Sequence, residues 1–417
     1  MEQIPIKTLI ERCVSWMRDN GYTESSIGVY DRLWRHGILS FMSDKGLPDF
    51  TVDIGQSFLS GCHTNKHLTD CDISMRRSVR VLCEFMQTGK IVRKSHPKVN
   101  YELVGEIGAA MEMLMHQEAE KRKSACTLGI YRRHLWRFQA HLKTLQISSV
   151  SDIGPAVIIS YVDGYGYGDK TASIRVLRAF FKFLSERDMT DSDLSICLQG
   201  YRKAKPEKIP SYYSAEEITR IEAYGKSETN TPKGRRNYAM LLLASRLGLR
   251  ASDIALLKFE NIIWDRMCIS LKMYKTGKLI SLPLLPEIGN AIIDYIQNGR
   301  PITNSRNVFM AAKAPYEAAT SDTVQFAIRQ IIEQSGVDIS SRHHGPHSMR
   351  HSLASRLLEN GEIMPVISES LGHQNTPTTM SYLKIDVASL RRCALEVNPV
   401  TEEFYTKNAL ALYENQT

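Results

Sequence analysis

Four groups of residues in the C-terminal half of this 417-residue chain place cations, histidines or a tyrosine beside a turn or a helix end. Such an arrangement suits the gripping and attack of a phosphate. Gly248-Leu249-Arg250-Ala251-Ser252-Asp253 follows the apolar stretch Tyr238 to Leu247 and precedes Ile254-Ala255-Leu256-Leu257, which reads as another apolar helix. Packing does not explain an arginine there, because arginine is rarely buried without a partner. Its guanidinium either pairs locally with Asp253 or presents a fixed fork of donors to a phosphate. Lys275-Thr276-Gly277-Lys278 falls at the turn of a hairpin between Ile269-Ser270-Leu271 and Leu279-Ile280-Ser281-Leu282. A turn lysine is commonly just solvated, but a hairpin can also carry an ammonium into a site as a general acid.

The third group is His343-His344-Gly345-Pro346-His347-Ser348-Met349-Arg350-His351. Pro346 suits the first turn of a helix, which puts His347 and Arg350 one turn apart on the same face. Together they make a phosphate grip with a titratable partner; alternatively they are a capping histidine and a surface arginine. His347 and His351 have the spacing of a metal pair, but the glutamate that a metalloprotease helix carries between them is missing. The fourth group is Leu371-Gly372-His373 followed by Gln374-Asn375-Thr376-Pro377-Thr378-Thr379-Met380-Ser381-Tyr382. A glycine turn exposes His373, and a helix opened by Thr376 and Pro377 brings Tyr382 near its far end. Taken alone, Tyr382 reads as a half-buried core tyrosine with a bonded hydroxyl.

The four groups are moderately informative singly and specific in their joint order. Over residues 207–397 the chain resembles the catalytic domain of the tyrosine recombinases, the lambda-integrase and Xer-like family, and no catalytic position of that pattern is substituted. The resemblance implies that Tyr382 attacks phosphorus to give a 3′-phosphotyrosine and that His347 shares its proton. It further implies that Arg250 and Arg350 stabilise the charged oxygens, that Lys275 protonates the departing 5′-oxygen, and that His373 binds the phosphate or orients Tyr382. It implies no cofactor, metal or ATP. The implied partners are double-stranded DNA carrying specific recombination sites and a homo-tetramer that holds two duplexes and exchanges strands through a Holliday junction, with accessory DNA-bending or directionality factors. A mobile element is the expected beneficiary.

The elements that must position these groups begin with an internal repeat. Ile27-Gly28-Val29-Tyr30-Asp31-Arg32 is echoed by Leu128-Gly129-Ile130-Tyr131-Arg132-Arg133, and Asp53-Ile54-Gly55 by Asp152-Ile153-Gly154. The run Arg80 to Met86 matches Arg178 to Leu184. Order and spacing agree at a period of about 100 residues. Two copies of one helical domain are therefore expected, and the resemblance makes them SAM-like and DNA-binding. In the second copy Ile130, Leu135, Phe138 and Leu142 read as the apolar side of a helix. Arg132, Arg133 and Arg137 lie on its other sides. With Lys121, Arg122, Lys123, Arg175, Arg178 and Lys182 they form either a solvated face or a phosphate-contacting one.

Basic, proline-broken stretches at Lys90 to Val99 and Tyr201 to Pro210 read as linkers. Ser214, with Glu217 three residues on and Ile218 and Ile221 behind, signals a capped helix. The expected layout is a helical domain over 1–90, a linker over 91–109, a core-binding helical domain over 110–200, a linker over 201–213, the catalytic domain over 214–397 and a tail over 398–417. The fold class is mainly α with a small antiparallel β-sheet in the catalytic domain, arranged as a C-shaped clamp on the duplex. The tail, with Thr401 to Tyr405 leading to Ala409 to Tyr413, forms either a self-packed helix or one that docks on a neighbouring protomer.

Composition is compatible with this reading. Hydrophobic residues make up 43% and charged residues 24%, as in ordinary globular proteins. The net charge of +8 favours a polyanion partner. No run of about 18 uncharged apolar residues occurs, so no membrane partner is expected. The opening Met1-Glu2-Gln3 lacks the order of a signal peptide, which leads to an expectation of a cytoplasmic, nucleoid-associated protein. The eight cysteines are scattered and read as small buried hydrophobes. Cys62, His63, His67 and Cys71 could hold zinc, although the usual paired C-x-x-C is absent. Two rival functions remain at this stage: a type IB topoisomerase sharing the chemistry, and a DNA-binding protein keeping the fold without the reaction.

Overall fold

The structure, a computed structural model, describes residues 4–61, 70–91, 100–164, 167–201, 211–340 and 342–372. It divides into two compact units, residues 94–207 and the rest of the chain. Three large hydrophobic cores lie within residues 6–91, 107–198 and 213–349.

The first stretch begins with strand β1 (Ile4–Pro5), which pairs antiparallel with β2 (Asp49–Phe50). Between them run α1 (Ile6–Asp19) and α2 (Glu24–Leu33), the latter continuing through a π-helical stretch, Trp34–Leu39, into α3 (Ser40–Asp44). The Thr23 hydroxyl caps α2 by accepting the Ser26 N–H, one of the orphan donors of a helix start. Then follow α4 (Val52–Gly61) and α5 (Asp70–Thr88). Trp34 is fully buried and donates its indole N–H to the Ser78 carbonyl at 2.8 Å, tying the long second helix to α5. The ring of Tyr316, from the far end of the sequence, covers Gly21, where an added Cβ would come within 2.6 Å of it.

The second unit contains α6 (Gly105–Glu120), α7 (Ala125–Thr144), α8 (Pro155–Asp163) and α9 (Tyr167–Ser185). Helix α6 starts at Gly105, inside the stretch expected as linker. The apolar side of α7 is Tyr131, Leu135, Phe138 and Leu142, all buried, whereas Ile130 is 39% exposed. Ile130 is thus not a core residue. The steps of four, three and four residues keep Tyr131 in line with the others, and its predecessor is turned about 100° away. The basic residues of this unit split into two groups. Arg132 is clasped by Glu112 through two bonds of 2.6 Å, Lys121 and Lys123 both pair with Glu118, and Arg178 donates to the Leu198 carbonyl. Arg122 and Arg175 are exposed.

The remaining part opens with α10 (Ala215–Ser227) and α11 (Pro232–Arg246), followed by α12 (Ala251–Ala255). The apolar run after Arg250 gives only this short helix: Leu256 turns out to solvent while Leu257 returns to the core. A three-stranded antiparallel sheet follows in the order β3 (Ile262–Ile263), β4 (Cys268–Lys272) and β5 (Leu279–Pro283). The hairpin register pairs Lys272 with Leu279 and Ile269 with Leu282. Strand β3, beyond the expected hairpin, is two residues long and pairs Ile262 with Ile269. Helices α13 (Pro286–Asn298), α14 (Ser321–Gln334), α15 (Pro346–Glu359) and α16 (Met364–Ser370) complete the described chain. The central helix is α11, buried from Ala239 to Ser245 and packed against α10, α13, α14 and α15.

Among the described cysteines Cys13 is buried and Cys83, Cys197 and Cys268 are half-buried, but Cys126 is exposed at the start of α7. Burial pushes the Cys13 thiol up to about 12 and Cys83 to about 11, as expected for inert thiols. Cys126 departs from the reading of the cysteines as buried hydrophobes, because its position in the first turn of α7 faces solvent. Among the described residues no helix is long and apolar enough to cross a membrane.

The entry to α10 is fixed as its sequence indicates. Ser214 and Glu217 form a reciprocal capping box, and Glu217 also receives two bonds from Arg342, at 2.9 and 2.7 Å. The Arg342 guanidinium lies over the ring of Tyr213, whose backbone N–H donates to Ser352 in α15. The bond to Arg342 is the main cause holding the Glu217 carboxyl below its usual range. Glu217→Gln should therefore lower the stability of the full chain in urea denaturation at pH 7 by about 1–2 kcal/mol. An unchanged midpoint would show that the bridge contributes nothing.

Candidate active site

Arg250 occupies the N-cap of α12, with φ −73° and ψ 152°. Gly248 sets it there by adopting φ +62°, a conformation open to glycine at little cost. The space is also closed to a side chain, since a Cβ on Gly248 would meet Leu371 at 2.8 Å and Leu353 at 3.0 Å. The turn carrying Arg250 is therefore seated directly on α15 and on the end of α16.

Arg350 sits one turn into α15, whose start is shaped by Gly345, Pro346 at the first helical position and the Ser348 hydroxyl, which bonds both the N–H and the C=O of Gly345. Arg350 is buried. One of its amino groups donates to the Gly248 carbonyl at 2.6 Å and the other to the Leu371 carbonyl. A single guanidinium thus fastens the turn at Gly248 to the chain at Leu371.

The hairpin joins through Asp253 and Met273. Asp253 is buried and its Oδ1 accepts the backbone N–H of Tyr274 at 2.8 Å. Burial is the main influence on this carboxyl and raises its pKa; the Tyr274 N–H, Arg250 and Arg350 oppose the shift. Met273 is buried beside it, with its sulfur 3.5 Å from Nη1 of Arg250. Gly372, at φ +61°, abuts the same sulfur. The loop closes through Met273 N–H to the Lys278 carbonyl at 2.9 Å and Gly277 N–H to the Met273 carbonyl at 2.8 Å, leaving Lys275 exposed.

His347 projects from the first turn of α15, exposed at one edge. Desolvation of its packed side lowers its pKa, and Arg350, Lys275 and Arg250 push in the same direction. A neutral imidazole at pH 7 follows, able to accept a proton. His351 stacks beneath it, with ring centroids 6.3 Å apart. Burial, then His347 and Arg350, brings the His351 pKa down to about 4.

Of the six expected residues, the structure gathers Arg250, Lys275, His347 and Arg350; His373 and Tyr382 lie outside the described residues, as does the tail. Among the described residues no three His, Cys, Asp or Glu side chains meet as a metal site; Cys62, His63 and His67 lie outside them, and the side chain of Cys71 is not described. Asp253 is thus more than a local mate for Arg250, and Met273 joins the site although none of the motifs contains it. The signal for Met273 was there: Ile269, Leu271 and Met273 alternate along the inward face of the strand.

A loop-borne lysine, two arginines and a neutral histidine around one point make a site for handling a phosphodiester. Comparison with known proteins agrees. The family model "Phage integrase family" matches residues 212–388, and "Phage integrase, N-terminal SAM-like domain" matches residues 114–188. A Sinorhizobium fredii protein described as an integrase/recombinase (y4gC) is 34% identical over 194 residues, 46% of this chain and 98% of its own length. A second one (y4rA) is 27% identical over 94% of both chains. The tyrosine recombinase XerD of Neisseria meningitidis is 27% identical over 64% of this chain and 89% of its own. In fold, the XerH site-specific recombinase bound to a palindromic difH substrate matches with a TM-score of 0.56 over 81% of this chain and 93% of that one, at 16% identity. A lambda integrase from a tetramer on a Holliday junction gives 0.53 over 76% and 88%, at 17% identity. The chain belongs to the phage integrase family, the tyrosine recombinases.

The buried histidine gives a pH signature. The unfolded chain takes up a proton on His351 near pH 6.5 and the folded one near 4, so stability present above pH 6.5 is lost as the pH falls from 6.5 to 4. The wild-type chain should lose on the order of 1–3 kcal/mol more than a His351→Gln variant over that interval, read by denaturant titration at each pH. Parallel pH profiles would contradict the placement of His351.

Proposed function

We propose that this chain is a site-specific DNA recombinase in which Tyr382 forms a covalent 3′-phosphotyrosyl link. The observation that carries the reading is the convergence of Arg250, Lys275 and Arg350 on a neutral His347. The Tyr382 oxygen attacks phosphorus, the bond from phosphorus to the 5′-oxygen breaks, and the 3′-phosphate becomes bonded to tyrosine. His347 takes the phenol proton, which matters because a free phenol with a pKa near 10 is a weak nucleophile. Lys275 gives a proton to the departing 5′-oxygen. Arg250 and Arg350 stabilise the non-bridging oxygens, and fixed donors do this without reorganisation. His373 hydrogen-bonds the phosphate or orients Tyr382. A 5′-hydroxyl from another strand then reverses the step and releases Tyr382. The phosphodiester energy is kept in the tyrosyl bond, so neither metal nor ATP is required.

The substrate is duplex DNA with defined sites. The assembly is a tetramer exchanging strands through a Holliday junction, supported by the solved lambda integrase tetramer on such a junction. The integrase descriptions of the Sinorhizobium fredii relatives support service to a mobile element; accessory DNA-bending or directionality factors are part of the proposal. A DNA substrate of this kind places the protein in the cytoplasm, at the nucleoid. Residues 1–90 are the first copy of the helical domain and also contact DNA; in their favour, α1, the continuous α2–α3, α4 and α5 follow one another with lengths close to those of α6, α7, α8 and α9. The phosphate-facing side of the second copy is narrower than its basic composition suggests, with Arg122 and Arg175 on it rather than the paired Arg132, Lys121 and Lys123.

On a nicked suicide substrate, Tyr382→Phe should bind as the wild type does and form no covalent adduct; an adduct of normal yield would overturn the reading. Lys275→Ala should slow cleavage by about 100-fold or more, and a sulfur in place of the 5′-bridging oxygen should restore most of the rate, because thiolate leaves without a proton. A larger loss in Lys278→Ala would move the general acid to that residue.

A further inference from the structure

We propose that Tyr274 is a positioning residue for the DNA strand being cut, stacking its ring on the base of the nucleotide next to the scissile phosphate. The inference rests on the recombinase reading above and adds to it a contact that the catalytic set does not supply. Tyr274 is 66% exposed, while its two sequence neighbours are committed: Met273 is buried against Arg250, and Lys275 acts electrostatically on His347. The backbone of Tyr274 is anything but loose, since its N–H is held at 2.8 Å by the buried carboxylate of Asp253, three residues from Arg250. A large aromatic ring is thus presented to solvent from a backbone position pinned to the arginine cluster. Across the turn Leu279 is 70% exposed, a second large apolar side chain on the loop that carries Lys275.

The occupant follows from the surroundings. Whatever brings a phosphate to Arg250, Arg350 and Lys275 carries a sugar and a base within one nucleotide of it, and the ring of Tyr274 starts one residue from Lys275. Aromatic rings stack on bases with little regard to sequence, because every base has a π face. Such a contact also resists salt better than a phosphate contact does. It would fix the height of the strand over His347, and through that the distance from the attacking phenol to phosphorus.

The test uses the full chain on a suicide substrate under single-turnover conditions. Tyr274→Ala should cleave about tenfold more slowly at saturating protein, with Tyr274→Phe close to wild type because the ring, not the hydroxyl, makes the contact. Removing the base next to the scissile phosphate should slow the wild type by a similar factor and have little further effect on Tyr274→Ala. Wild-type cleavage by Tyr274→Ala, or losses from the variant and the abasic site that simply multiply, would overturn the proposal. If the wild type itself forms no adduct on the intact substrate, the recombinase reading fails instead.

Discussion

The site depends on one buried cation. Arg350 is 3% exposed, and its guanidinium spans two carbonyl oxygens, those of Gly248 and Leu371. Burying an ion without partners costs several kcal/mol, so these bonds are obligatory for the fold at this place. Hydrogen bonds to a charged group contribute about 1.5–3 kcal/mol each. Because the two carbonyls belong to different groups of the sequence, satisfying Arg350 also sets the turn bearing Arg250 against the chain that leads to His373.

Other features of the site follow from that constraint. Arg250 and Arg350 stand near the buried Asp253, which offsets part of their charge and anchors the hairpin through the Tyr274 N–H. With Lys275 counted, three cations face one carboxylate, and after burial, the larger cause, this excess also lowers the proton affinity of His347. The local field thus suits a phosphodiester and adds to the burial that keeps the histidine neutral. Met273 adds a packing element, its sulfur shared between Arg250 and Gly372.

Much of this was readable from local sequence because the signals are local. The capping box at Ser214 and Glu217, Pro346 at a helix start and the two strands around Lys275 each depend on residues within a few positions of one another. What escaped depends on distant partners. Glu112 and Glu118 neutralise part of the basic side of the second helical unit, which no periodicity along α7 reveals. Strand β3 is too short to carry a pattern and exists only because Ile262 meets Ile269. Ile130 looked apolar and in phase, but the burial of Tyr131 set the phase of the helix one residue away. The carbonyl ties of Arg350 use backbone atoms and so leave no trace in residue types.

The most direct test of the account is the identity of the residue bonded to DNA. The wild-type protein trapped on a suicide substrate can be digested with protease and nuclease, and the peptide carrying the residual nucleotide sequenced by tandem mass spectrometry. The account predicts a 3′-phosphonucleotide on Tyr382 in every trapped molecule. A nucleotide on any other of the 18 tyrosines, on a serine, or on a 5′-phosphate would contradict it.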